Sequence, residues 1–155
     1  MGDTELLAIH SSKEAEQPFR WSAGKYASRF LVELRDNKRF VGVRCPKCKK
    51  VYVPPKEICD PCFCVMTEPV EASTQGIIRT YTILRFSFVD PETGLEKPVP
   101  YAYGNVQLDG TDTVLSHYIE YEDEDQLKIG ARVQAIFQEE RKGNMRDIRC
   151  FRVIG

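Results

Sequence analysis

The chain has 155 residues, 42% of them hydrophobic and 29% charged, and a formal net charge of −1. That composition is too apolar for wholesale disorder, and no apolar run nears the roughly 18 residues of a bilayer-spanning helix. The charge gives no global pull toward nucleic acid or an anionic membrane, and the start Met-Gly-Asp-Thr-Glu-Leu lacks the basic and apolar segments of a secretory signal, so a cytoplasmic, membrane-free protein is expected.

Residues 1–21 are polar and show no periodic apolar face, which predicts a flexible N-terminal arm. Tyr26, Phe30, Leu31 and Leu34 then recur at helical spacing, with Ser22 as the expected N-cap and Asp36-Asn37 as the end of the helix. Phe40-Val41-Gly42-Val43-Arg44 reads as a short strand, and Val51-Tyr52-Val53 as another, stopped by Pro54-Pro55. Between and beyond them lie Cys45-Pro-Lys-Cys48 and Cys59-Asp-Pro-Cys62. In a reducing compartment clustered cysteines are metal ligands more often than disulfides. Each C-x-x-C turn lets two thiolates grip one ion, and two such knuckles close a tetrahedral site with no position for substrate. The expected occupant is one structural zinc per chain. Iron in a rubredoxin-like site is the chemical rival, since four thiolates suit either metal. Cys64 reads as a spare thiol or a misregistered ligand, and Cys150 as a small buried apolar residue.

From Val70 onward the pattern is strand. Ile77 to Phe88 is expected to form one, with Ile78, Leu84, Phe86 and Phe88 on one face. A long irregular loop follows from Asp90 to Pro100, then a strand from Tyr101 to Leu108 and a hairpin turn at Asp109-Gly110. Thr113–Ile119, the segment around Val133, Ala135 and Phe137, and Ile148–Ile154 complete five strands. The expected architecture is mainly β. An N-terminal helix and rubredoxin-like ribbon span 22–69, and a five-stranded barrel of the OB type spans 70–155, although strand spacing also allows an SH3-like barrel.

These motifs, in this order, resemble the zinc-ribbon/OB-fold proteins associated with acyl-CoA enzymes, the former DUF35 group. The likeness runs through Phe40-Val41-Gly42-Val43-Arg44-Cys45, the knuckles flanking Pro54-Pro55, Gly76-x-x-x-x-Tyr81-Thr82, Pro100-Tyr101, Val106-Gln107-Leu108-Asp109 and Ile129-Gly130-x-x-Val133. Lys49 departs from it, because many members place glycine there, and the acidic run Glu120 to Asp125 looks like an insertion. The resemblance implies a non-catalytic accessory subunit in a hetero-oligomer with a thiolase-superfamily partner, or with a hydratase or aldolase acting on CoA thioesters. The partner would supply the chemistry, and this chain would stabilise it and shape its CoA or acyl channel. The reaction it suggests is cleavage of benzoylsuccinyl-CoA with CoA to benzoyl-CoA and succinyl-CoA.

The residues agree with a non-catalytic part. A cysteine nucleophile needs a lowered pKa and a neighbouring base. The sequence has only two histidines, His10 in the polar arm and His117 in a strand, and His117 reads as structural. Arg44, Lys47, Lys49 and Lys50 form a basic cluster suited to the ADP phosphates of CoA, and Val51, Tyr52, Val53 and Phe63, with Ile58, form the expected partner surface. A nucleic-acid module is the reading from another class, since Tyr81, Phe86, Tyr101 and Tyr103 offer stacking faces. The acidic run opposes it, so no nucleic-acid partner is expected. The bland readings are a solvated basic ribbon surface, a solvated acidic loop and aromatics committed to the core.

Overall fold

The computed structural model describes residues 5–10, 20–87, 89–90 and 94–155. The one α-helix among the described residues, α1 (Gly24–Asn37), buries Ser28, Phe30, Leu31 and Leu34 along one face, as the spacing predicts. It stops where Lys38 turns left-handed at φ 54° and its N–H donates to Glu33 O, next to the predicted end. The start differs from expectation. Ser22 closes a strand, β2 (Arg20–Ser22), that pairs with β1 (Ala8–His10), so Ala23 is the N-cap and has no side-chain cap. The Ser22 hydroxyl still accepts from Gly24 N–H at 3.1 Å. Part of the expected flexible arm is thus a strand, and Leu7 ties it to α1 through N–H to Ser28 Oγ at 3.0 Å. Residues 1–4 and 11–19 lie outside the described residues. No helix among the described residues is long and apolar enough to cross a membrane.

Two further sheets follow. β3 (Phe40–Arg44) is the centre of a three-stranded ribbon sheet, between β4 (Val51–Tyr52) and β5 (Glu68–Ala72). β6 (Gln75–Leu84), β7 (Tyr101–Leu108), β8 (Leu115–Glu120), β9 (Arg132–Phe137) and β10 (Ile148–Val153) close a barrel in the order β10-β8-β7-β6-β9. β8 and β10 are parallel and the other pairs antiparallel. β7, β9 and β10 fall close to their predicted places. β5 was not anticipated as a ribbon strand; it pairs with β3 along its whole length, so an expected boundary at 69/70 falls inside one strand.

β6 ends earlier than predicted. A register shift between Ile78 and Thr80 breaks its alternation, so Ile78 is buried while Phe86, beyond the strand, is 66% exposed; Phe88 lies outside the described residues. Gly76 sits where β6 crosses β7 so closely that a Cβ would collide with the backbone of Gln107, which explains a glycine at that motif position. The expected irregular loop has order at its ends: Val89 and Glu96 form an antiparallel bridge, and Asp90 N–H donates to Leu95 O at 2.9 Å. Nor is Asp109-Gly110 a two-residue hairpin. It opens a longer connection that binds the ribbon, with Asp112 Oδ2 accepting from Val51 N–H at 2.8 Å and Thr113 Oγ1 from Val53 N–H at 2.8 Å. These bonds occupy the free edge of the short strand β4.

Ribbon, helix and barrel share one core. Phe40, fully buried at the head of β3, lies 6.3 Å from the ring of Phe30 on α1, 5.6 Å from Phe137 on β9 and 6.3 Å from Phe151 on β10. Phe40→Ala should therefore cost about 3–5 kcal/mol, and denaturant unfolding should show ribbon and barrel losing structure in one shifted transition. A change confined to one of them would contradict the shared core.

His117, on β8, is 8% exposed, with Nε2 3.3 Å from Met145 O and its ring edge-on to Phe151. The Nε2 contact to a backbone carbonyl is of the local kind that the structural reading expects, while the buried Nδ1 has no hydrogen-bond partner among the described residues. Burial pushes its pKa below the ordinary 6.5. The folded chain keeps the ring neutral while the unfolded chain takes up a proton, so stability falls as pH drops through that ordinary value. Thermal unfolding across that range should show a weaker pH dependence for His117→Gln than for the wild type.

Candidate metal centre

The two C-x-x-C turns fold into near-equivalent knuckles. In the first, Lys49 N–H donates to Cys45 O at 3.1 Å and Cys45 N–H to Lys50 O at 2.9 Å. In the second, Phe63 N–H donates to Cys59 O at 2.9 Å and Cys59 N–H to Cys64 O at 3.0 Å. Both turns need a left-handed residue after their second cysteine, and Lys49 (φ 65°) and Phe63 (φ 50°) fill these places. Glycine pays no steric cost at such a position, so Lys49 departs from the residue that the family resemblance leads one to expect there.

The knuckles bring the sulfurs of Cys45, Cys48, Cys59 and Cys62 within 4.8 Å of one another, positioned for a metal ion. Cys45 and Cys59 are buried, Cys62 is half-buried and Cys48 exposed. Burial raises the pKa of Cys45, but backbone N–H groups of Cys48 and Lys47 and the neighbouring thiols outweigh it and bring it down to about 6. The hydrogen bond to Cys48 and then burial push Cys62 up to about 12. Crowded thiols of this kind shed their protons together only when a cation neutralises them. Such a donor set fits a closed, soft-ligand metal site.

The structure overturns most of the expected partner surface. Val51 and Val53 are 5% and 1% exposed because they join the shared core beside α1. Tyr52, at 5%, packs with Val43, Cys45, Cys59 and Met66 beneath the knuckles. Its hydroxyl lies 3.5 Å from Cys59 Sγ, and with Cys59 as a thiolate the phenol is the donor. Tyr52 thus supports a ligand from behind, a role that the sequence pattern did not reveal. Phe63 is different: it is 84% exposed, and with Ile58 (42%) and Val65 (48%), joined by a β-bridge, it forms an apolar patch on the second knuckle.

The basic cluster separates too. Arg44 pairs with Glu68 at 2.8 Å, while Lys47, Lys49 and Lys50 are exposed on the first knuckle. Nor is the acidic run a merely solvated loop: Glu120 pairs with Arg152 at 2.6 Å, Glu124 with Arg85 at 2.6 Å, and Asp123 caps a short 3-10 turn. Tyr101 and Tyr103 pack edge-on against Tyr118, with the Lys97 ammonium 3.0 Å from the Tyr118 ring centroid. Cys150 is buried as expected, and burial raises its thiol pKa. A groove that no motif announced, about 740 Å³, runs beside α1 over Val41, Val43 and Met66, with Lys25 and Arg29 among its lining residues.

Residues 33–63 match the rubredoxin-like zinc ribbon domain of ChsH2, and residues 69–138 its C-terminal OB-fold domain. A DUF35 domain-containing scaffold protein of Methanocaldococcus jannaschii is 28% identical over 115 residues, 74% of this chain and 78% of that protein. One from Pyrococcus furiosus is 29% identical over 109 residues, 70% of this chain and 76% of that protein. A DUF35 structure of unknown function from Sulfolobus solfataricus has a TM-score of 0.59 at 21% identity, covering 85% of each chain. A chain of the Ltp2-ChsH2(DUF35) aldolase has a TM-score of 0.60 at 21% identity, covering 84% of this chain and 95% of that one. At that identity the likeness is one of fold, and the matched barrel is the OB type rather than the SH3 type.

Left-handed backbone is costly for a side chain, and bulky residues are rarely found there. Lys49→Gly and Phe63→Gly should each raise the thermal stability of the metal-loaded protein, by about 0.5–1 kcal/mol after the entropy of the added glycine. Calorimetry showing a loss at both positions would contradict the strain.

Proposed function

Because the chain belongs to the DUF35 family, we propose that it is the non-catalytic scaffold subunit of a thiolase-type acyl-CoA complex, with one structural zinc on Cys45, Cys48, Cys59 and Cys62. The observation that carries this reading is Phe63. A large aromatic side chain stands almost fully exposed at a backbone angle that favours glycine. Strain of about 1–3 kcal/mol persists where the surroundings hold it and a function uses it. Aromatic anchors of this kind dominate protein interfaces, and the zinc knuckle would present this one rigidly. The β6–β7 loop adds further exposed apolar groups, Val89 and Val99, and is assigned to the same partner or its substrate entrance.

The scaffold role is the trait carried over from the curated relatives. The thiolase partner and a benzoylsuccinyl-CoA substrate come from the sequence resemblance. In this reading Lys47, Lys49 and Lys50 face the CoA phosphates while Arg44 stays with Glu68, and the groove beside α1 lends one wall to the acyl channel. The catalytic subunit supplies the nucleophile and base, consistent with the buried, raised thiol of Cys150 and the buried ring of His117.

Elemental analysis should find about one zinc per chain, and Cys59→Ser should lose both metal and ribbon structure. Co-expressed with a thiolase-type catalytic subunit, the chain should give a stable complex that cleaves a 3-oxoacyl-CoA with CoA, while neither chain alone turns over. Phe63→Gly should weaken assembly by about tenfold or more without loss of zinc, even as it stabilises the isolated chain. Full turnover by the catalytic subunit alone would end the scaffold reading. Assembly with an aldolase or hydratase instead would keep the scaffold and replace the thiolase.

A further inference from the structure

Five of the six cysteines gather at the knuckles, but the four-sulfur cluster uses only four. The fifth, Cys64, has its Sγ 3.6 Å from Cys45 Sγ. A tetrahedral zinc–thiolate site with bonds of about 2.3 Å has sulfur–sulfur edges of about 3.8 Å. Cys64 is therefore as near to a ligand as a co-ligand would be. Its place is fixed by the second knuckle itself, because its carbonyl accepts from the N–H of the ligand Cys59 at 3.0 Å. The equivalent place in the first knuckle is held by the exposed Lys50 with the same backbone bond. The turn thus does not require a thiol there, although the half-buried Cys64 also packs against the small core beneath the knuckles.

The four ligands are also unequally protected. Cys45 and Cys59 are buried, whereas Cys62 is half-buried and Cys48 exposed, and of these two less protected ligands Cys62 lies two residues from Cys64 on the same turn. We propose that Cys64 is a reserve metal ligand that takes the place of Cys62 when that thiolate leaves the ion. The exchange involves no oxidation. The metal–sulfur bond to Cys62 breaks and that sulfur takes up a proton, while Cys64 releases its proton to solvent and bonds to the ion. Four thiolates surround the metal before and after. This inference rests on the four-cysteine zinc site above, which the metal content of the wild-type protein tests separately.

The experiment replaces zinc with cobalt(II), whose visible and sulfur-to-metal charge-transfer bands report the number of thiolates. The proteins are the wild type, Cys64→Ser, Cys62→Ser and the double variant. Wild type and Cys64→Ser should give four-thiolate spectra, and so should Cys62→Ser, through Cys64. The double variant should give a weaker, blue-shifted three-sulfur spectrum. Loss of even an outer-shell partner costs about 10–100-fold in metal affinity, so the double variant should bind at least about tenfold more weakly than Cys62→Ser. Identical spectra and affinities for those two variants overturn the proposal. Zinc transfer to a chromophoric chelator provides a second measurement on proteins that keep all four ligands, and it decides alone if Cys62→Ser does not fold. A reserve ligand recaptures a half-released ion, so the wild type should give up zinc several-fold more slowly than Cys64→Ser, and equal rates overturn the proposal.

Discussion

Much of this molecule hangs on the packing of one side chain at the head of one short strand. Phe40 begins β3 inside the core shared by α1, β9 and β10, and the same strand runs directly into Cys45, the first cysteine of the cluster. A ribbon this small has too little apolar surface to fold alone. Here it borrows the barrel's core at one end of β3 and gains a metal site at the other. The hydrogen bonds from Val51 and Val53 to Asp112 and Thr113 tie down the outer strand. As a result the knuckles are held on a rigid body, which a docking surface requires.

Two turns of nearly the same backbone carry opposite chemistry. Lys47, Lys49 and Lys50 make the first knuckle hydrophilic and cationic, while Ile58, Phe63 and Val65 make the second apolar. The backbone constraint on both is identical, a left-handed residue after the second cysteine, so the difference lies wholly in what the turn displays. A ribbon that only held itself together would be expected to relieve that strain with glycine.

Several arginines elsewhere are consumed internally. Arg44, Arg85, Arg132 and Arg152 each meet a carboxylate within 2.8 Å, and Arg35 is held between Glu5 and Asp36. Exposed pairs of this sort contribute little to stability, and the three exposed lysines of the first knuckle form a cationic feature beside the cysteine cluster.

The sequence by itself determined the four-cysteine cluster, the helix face and most barrel strands, because each rests on local spacing: two residues between paired thiols, 3.6 per helical turn, two per strand repeat. It also placed the helix end at Asp36-Asn37 and the family on motifs whose backbone reasons are now visible, such as Gly76 against Gln107. The tertiary structure alone decided what those elements face. Val51, Tyr52 and Val53 read as a surface patch because a ribbon considered alone cannot bury them, yet the barrel and the knuckle floor cover all three. β5 escaped notice because Glu68-Pro69-Val70-Glu71 has no strong strand pattern and owes its conformation to pairing with β3. The register shift after Ile78 inverted an alternation that the sequence could only extrapolate. Cys64 makes the same point from the other side: its spacing places it one residue beyond a knuckle, and only the fold brings its sulfur to the edge of the metal site.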